Sequence, residues 1–165
     1  MGCCAAKELD QHPWPESLGT ALESTIVVDA AWLADLADSG GILPRCQDVP
    51  DEAKVKLEEM LAWDDHYTLP LLVISYPWLG RLHPDVNGEQ LRRLAFVLKA
   101  FAKKATAISQ ETGKVCRVGA FWDYSSLPQR SMSCGPDEDD RSPADKEIFS
   151  RALTGINVSH RTHLG

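Results

Sequence analysis

Leu71-Leu72-Val73-Ile74-Ser75-Tyr76-Pro77-Trp78-Leu79-Gly80 is the stretch on which the reading of the whole chain turns. Four aliphatic residues in a row, without polar alternation, fit a strand covered on both faces, as in a parallel sheet. Periodicity alone also fits a buried helix, but Pro77 weighs against it: proline donates nothing to a ladder and drives Tyr76 toward an extended conformation. The strand is therefore expected to end there. It presents Ser75, Tyr76 and Trp78 beyond its carboxyl edge, where open α/β sheets bind ligands.

Downstream, Arg81 to Gly88 reads as a polar loop rich in turn formers. From Gly88 to Thr112 the residues Leu91, Leu94, Ala95, Leu98, Phe101, Ala102, Ala105 and Ile108 keep helical spacing, with Asp85 or Asn87 as cap and Gly113 as stop. Arg92, Arg93, Lys99, Lys103 and Lys104 make most of its polar face, which reads as a solvated surface. Lys114 then leads into Val115 to Trp122, a second strand after a crossover helix. A right-handed crossover makes the two strands parallel, so Asp123, Tyr124, Ser125, Ser126 and Gln129 fall on the same edge as Ser75, Tyr76 and Trp78. Taken singly, each of these residues is more commonly a cap or a rim residue of the core than a ligand contact.

Upstream, residues 1–20 read as a tail and a linker carrying Pro13, Pro15 and Gly19, and the α/β domain occupies 21–165. Thr25 to Val28 fits a short strand or the lead into a helix. Ala30 to Asp38 is a helix closed by Ser39-Gly40-Gly41, and Ala53, Leu57, Met60 and Leu61 make one face of another. After the central unit comes an acidic loop, Arg130 to Ser142. Ser142-Pro143-Ala144-Asp145 then opens a helix with Ile148, Phe149, Ala152 and Leu153 inward. Two strands make a poor sheet, so a third is expected from Thr25 to Val28, from the C-terminal residues, or from residues beyond a truncated end.

The bulk numbers exclude several classes. A formal charge of −7 over 165 residues, with no basic run, argues against a nucleic-acid partner. No apolar segment approaches the roughly 20 residues that span a bilayer, and no secretory signal follows Met1. The cysteines at 3, 4, 46, 116 and 134 share no metal-ligand or redox spacing, so no metal site is expected; Cys46 and Cys116 read as small buried residues and Cys134 as exposed in a loop. Gly2 followed by Cys3 and Cys4 is similar to the start of a myristoylated and palmitoylated protein, although Ala6 stands where that pattern has Ser or Thr. One acyl chain binds a membrane weakly and two anchor it, so Gly2, Cys3 and Cys4 together imply a protein at the cytosolic face of a membrane.

Val73-Ile74-Ser75-Tyr76-Pro77-Trp78-Leu79-Gly80 and Phe121-Trp122-Asp123-Tyr124-Ser125-Ser126-Leu127-Pro128-Gln129, with a helix between and acids and a helix after, resemble the fungal heterokaryon-incompatibility (HET) domain. That family shows L-S-Y-x-W-G and W-I-D-x-x-C-I-x-Q segments and is regarded as related to Toll/interleukin-1 receptor (TIR) domains. Ser75, Tyr76, Trp78, Asp123 and Gln129 fall on family positions, while Leu79 is inserted before Gly80 and Ser126 replaces the cysteine. The resemblance implies a flavodoxin-like, three-layer signalling module with a short parallel sheet. Its relatives either assemble with protein partners, themselves included, or hydrolyse NAD. Ser75, Tyr76, Trp78, Asp123 and Gln129 would line a nucleotide-type crevice. The family of catalytic TIR domains carries its glutamate beyond the third strand, where neither Glu89 nor Glu147 falls. Asp123 is then the candidate acid, a non-enzymatic module with no cofactor is the expectation, and NAD as ligand or substrate is the alternative.

Overall fold

The computed structural model describes residues 25–56, 59, 70–135 and 137–161, with 154–161 described by backbone alone. Three strands, β1 (Val28–Asp29), β2 (Leu71–Ile74) and β3 (Gly119–Trp122), form a mixed sheet in the order β1-β3-β2. β2 and β3 are adjacent and parallel, with Leu72 opposite Ala120 and Ile74 opposite Trp122. They are joined through α2 (Glu89–Thr112), so the expected β-α-β unit is present, with the expected strand ended by Ser75 and the expected helix ended by Gly113. β3 starts four residues later than expected, at Gly119 rather than Val115, and Val115 is exposed. The third strand comes from the Thr25 to Val28 region, one of the three sources expected, but it runs antiparallel to β3, so the sheet is mixed rather than parallel as expected.

α1 (Ala30–Asp38) starts under a cap from Asp29, whose Oδ1 accepts from the Ala31 amide at 2.7 Å. Ala30, Leu33, Ala34 and Ala37 turn inward at helical spacing and meet Leu91, Ala95, Leu98 and Ala105 of α2. Both helices cover the face of the sheet that carries Ala120 and Trp122, with Leu72 and Ile74 packed at its margin. Full burial of a leucine stabilises by about 1.5–3 kcal/mol, so Leu33, Leu91 and Leu98, all within 1% of full burial, anchor this layer. The opposite face holds Arg117, whose Nε donates to Asp29 Oδ2 at 2.6 Å and whose Nη atoms donate to the carbonyls of Lys54 and Glu52.

Three expectations are corrected. Among the described residues β2 is an edge strand, not a strand covered on both faces: none of its residues is fully buried, and Val73 is 69% exposed. An unbroken aliphatic run reports affinity for strand, whereas its depth depends on how many neighbours the sheet has. The expected helix does not begin at Ala53, because Asp51–Ala53 is a single 3-10 turn, after which Lys54 bridges Val28 and the Val55 amide donates to the Val27 carbonyl at 2.8 Å. Leu57, Met60 and Leu61 lie outside the described residues. The helix opened by Ser142 is present as α4 (Pro143–Arg161), following a short α3 (Asp123–Ser126), but of the residues expected inward Leu153 is 41% exposed while Ala152 is buried. Ser142 and Asp145 cap it reciprocally, each side chain accepting from the other's amide at 3.1 Å.

Candidate functional site

Trp78 follows β2 and Asp123 opens α3 directly after β3, so the parallel pairing brings both to one edge of the sheet. Their side chains meet: Trp78 Nε1 donates to Asp123 Oδ2 at 2.8 Å. The other carboxylate oxygen accepts from the Tyr124 amide at 2.7 Å, and the Asp123 carbonyl accepts from Gln129 Nε2 at 3.2 Å. Gln129 is fixed in turn by Gln47, which accepts from its amide at 3.1 Å and donates to its carbonyl at 2.9 Å. Trp78, Asp123 and Gln129 thus form one constellation, as the two motifs imply. Ser125 and Ser126, placed at the same edge, are fully buried braces: Ser125 donates to the Pro44 carbonyl, and Ser126 Oγ accepts from the Trp122 amide at 3.0 Å.

Ser75 and Tyr76 stand elsewhere. They border a hollow of about 240 Å³ between β2 and α2, together with Leu72, Leu94, Val97 and Leu98. This hollow touches none of Trp78, Asp123 and Gln129. The five motif residues therefore divide into a polar lock and the rim of an apolar cleft.

The loop from Arg81 to Gly88, read as a polar turn, contains one residue that sequence reasoning passed over, His83, beside one it offered as a cap, Asp85. They are 3% and 0% exposed. The Asp85 amide donates to His83 Nδ1 at 2.9 Å, so Nε2 carries the proton of the neutral ring and donates to the Leu43 carbonyl at 2.9 Å. Asp85 Oδ2 accepts from the Leu91 amide at 2.8 Å, capping α2 from outside its first turn as the sequence allowed. Gln90 Nε2 donates to the Pro77 carbonyl at 3.0 Å and ties the helix back to the loop. The Tyr124 ring lies 4.5 Å from the His83 ring and 5.6 Å, edge-on, from Trp78, while burial raises its hydroxyl pKa. A histidine flanked by Pro84 and Asp85 in a turn-forming segment gives little sequence signal, since its partners lie 40 residues away at Leu43 and across the sheet edge at Tyr124.

Other expected features divide similarly. Cys46 and Cys116 are buried as expected, and burial pushes the Cys46 thiol up to about 12; Cys134 is half-buried rather than exposed. Asp140 in the acidic loop is held at about 2 by the Ser131 amide and Arg45, and Asp139 is lowered further by Arg141. Among the described residues no cluster of His, Cys, Asp or Glu could hold a metal ion, and no helix is long and apolar enough to cross a membrane. Gly2, Cys3 and Cys4 lie outside the described residues. No family model, curated protein or solved structure matches this chain.

Proposed function

We propose that this chain is a signalling and interaction module of the HET/TIR-like kind, with a flavodoxin-like arrangement of its parallel strands. Acylation at Gly2, Cys3 and Cys4 holds it at the cytosolic face of a membrane. The observation that supports a module over an enzyme is the engagement of Asp123: both carboxylate oxygens already accept, one from the Trp78 indole and one from the Tyr124 amide. Each oxygen keeps a second lone pair, but a general base or ribose-contacting acid must aim it into a space that holds substrate, and the hollow beside β2 does not reach this residue. The exposed face of Trp78, beside Asp123 and Gln129, offers a polar ligand of nucleotide type a stacking surface without turnover.

The competing reading, hydrolysis of NAD, rests on Asp123 standing only half-buried at the carboxyl end of β3. Incubation of the full chain with NAD separates the two. The expected result is no nicotinamide release above the protein-free rate. Release by the wild type, abolished in an Asp123→Ala variant that still melts cooperatively, would make the protein an NAD hydrolase.

A further inference from the structure

The sheet presents a further strand-pairing edge at β2. The Gly119 amide donates to the Pro70 carbonyl at 2.8 Å, and the parallel register puts Leu71 opposite Gly119 and Val73 opposite Phe121. In a parallel ladder alternate residues of a strand bond to the same neighbour, so residues 70, 72 and 74 face β3, and the N–H and C=O groups of Leu71 and Val73 face outward. No described strand pairs with that side. The edge is short, but its four residues are all aliphatic, without lysine, proline or bulge.

α2 reaches past this edge. Leu94, Val97 and Leu98 roof the hollow beside β2, and Phe101, one turn beyond Val97 on the same side, is 40% exposed. A strand added next to β2 would slide under this roof and bury on one of its faces what is now open. The margin of the roof is basic. Arg93 and Lys104 flank the Val97 and Phe101 stripe at helical spacing (i, i+4, i+8, i+11). Neither side chain makes an ion pair or hydrogen bond among the described residues, although the chain as a whole is formally −7. They stand eleven residues apart on α2, about 16 Å at 1.5 Å per residue, the length of roughly five extended residues.

We propose that the β2 edge receives an extended segment of a partner protein: about five residues, apolar on the face toward α2, with an acidic residue at each end to meet Arg93 and Lys104. This deepens the interaction-module reading and rests on it. Charge selects this occupant over a second copy of the chain. A two-fold pairing of β2 with β2 would lay α2 antiparallel to its mate and set Arg93 of one copy against Lys104 of the other.

The test uses the full chain and a fluorescein-labelled nine-residue peptide, Asp-Glu-Val-Thr-Val-Thr-Val-Glu-Asp, alongside a counterpart with lysine at its four acidic positions. The expected result is saturable binding of the acidic peptide. Binding should fall at least tenfold in Val73→Pro, which removes an outward N–H, and at least tenfold in Arg93→Glu/Lys104→Glu. The lysine peptide should bind only the charge-reversed variant. Circular dichroism and thermal melts establish that both variants fold, and Val73→Thr, which keeps the N–H and the strand, should bind like wild type. No binding of the acidic peptide overturns the proposal, as does binding lost by charge reversal but indifferent to Val73→Pro, which is adhesion to a basic helix. A wild-type dimer in sedimentation that Val73→Pro converts to monomer would assign the edge to self-pairing instead. Adsorption to phosphatidylserine vesicles that depends on Arg93 and Lys104, with no peptide binding, would assign the helix to lipid. The NAD assay is read separately: nicotinamide release defeats the module reading whatever the peptide does, and failure of the peptide in a protein that releases none defeats only the edge.

Discussion

His83 shows how much of this fold is held by single polar contacts. Nδ1 of its neutral ring accepts from a backbone amide two residues on, Nε2 donates to a carbonyl from the segment after α1, and the ring also packs against Tyr124. His83→Phe preserves the ring and its packing while leaving the Asp85 N–H and the Leu43 C=O buried and unmatched. A buried group left without its hydrogen bond costs about 1–3 kcal/mol, so the variant should lose about 2–4 kcal/mol in urea unfolding. A loss under 1 kcal/mol would mean that water replaces the ring nitrogens. Sequence inspection placed Asp123 correctly at the edge, because Trp-Asp at the end of an apolar run is a local signal. It missed His83, whose role depends on three separate segments converging.

At the scale of the element, two glycines bound α2 for different reasons. Gly88 precedes it at φ 69° and Gly113 follows it at φ 68°, both in the left-handed region. A β-carbon at Gly113 would meet nothing within 4 Å, whereas one at Gly88 would come 2.8 Å from the Gly41 carbonyl oxygen. Gly113→Ala therefore carries only the left-handed penalty of about 1–2 kcal/mol. Gly88→Ala adds a clash with backbone and should cost at least twice as much, read as the difference in their denaturation midpoints. Equal losses would show that the loop after α1 gives way. Helical spacing and terminal glycines made α2 legible to within a residue, because those signals are local. The contact between Gly88 and Gly41 was not, because it joins segments 47 residues apart.

For the whole molecule, the proposed tether predicts how the protein partitions. Each buried methylene contributes about 0.8 kcal/mol, so one acyl chain gives reversible attachment and a second makes it stable. A body of formal charge −7 is repelled by anionic leaflets, so attachment should depend on acylation and change little between low and physiological salt. Fractionation of cells expressing wild type, Gly2→Ala and Cys3→Ser/Cys4→Ser reads this directly. Wild type is expected with membranes, Gly2→Ala in the soluble fraction, and the cysteine variant at most weakly attached. If all three are soluble, Ala6 has broken the acylation signal and there is no tether.

The amino-acid sequence by itself determined the α/β class, the β2-α2-β3 unit and its parallel pairing, the helix from Ala30 to Asp38, and the capped start of α4. These follow from apolar periodicity, proline and glycine, which act over a few residues. Only the tertiary structure decided that the most apolar strand lies at the edge, that β1 runs antiparallel, and that Ser75 and Tyr76 part from Trp78 and Asp123. Strand order and side-chain meeting points depend on which distant segments compete for the same surface. An aliphatic run such as Leu71 to Ile74 has the same local preference at an edge as at a centre, so its position is set by neighbours it does not encode.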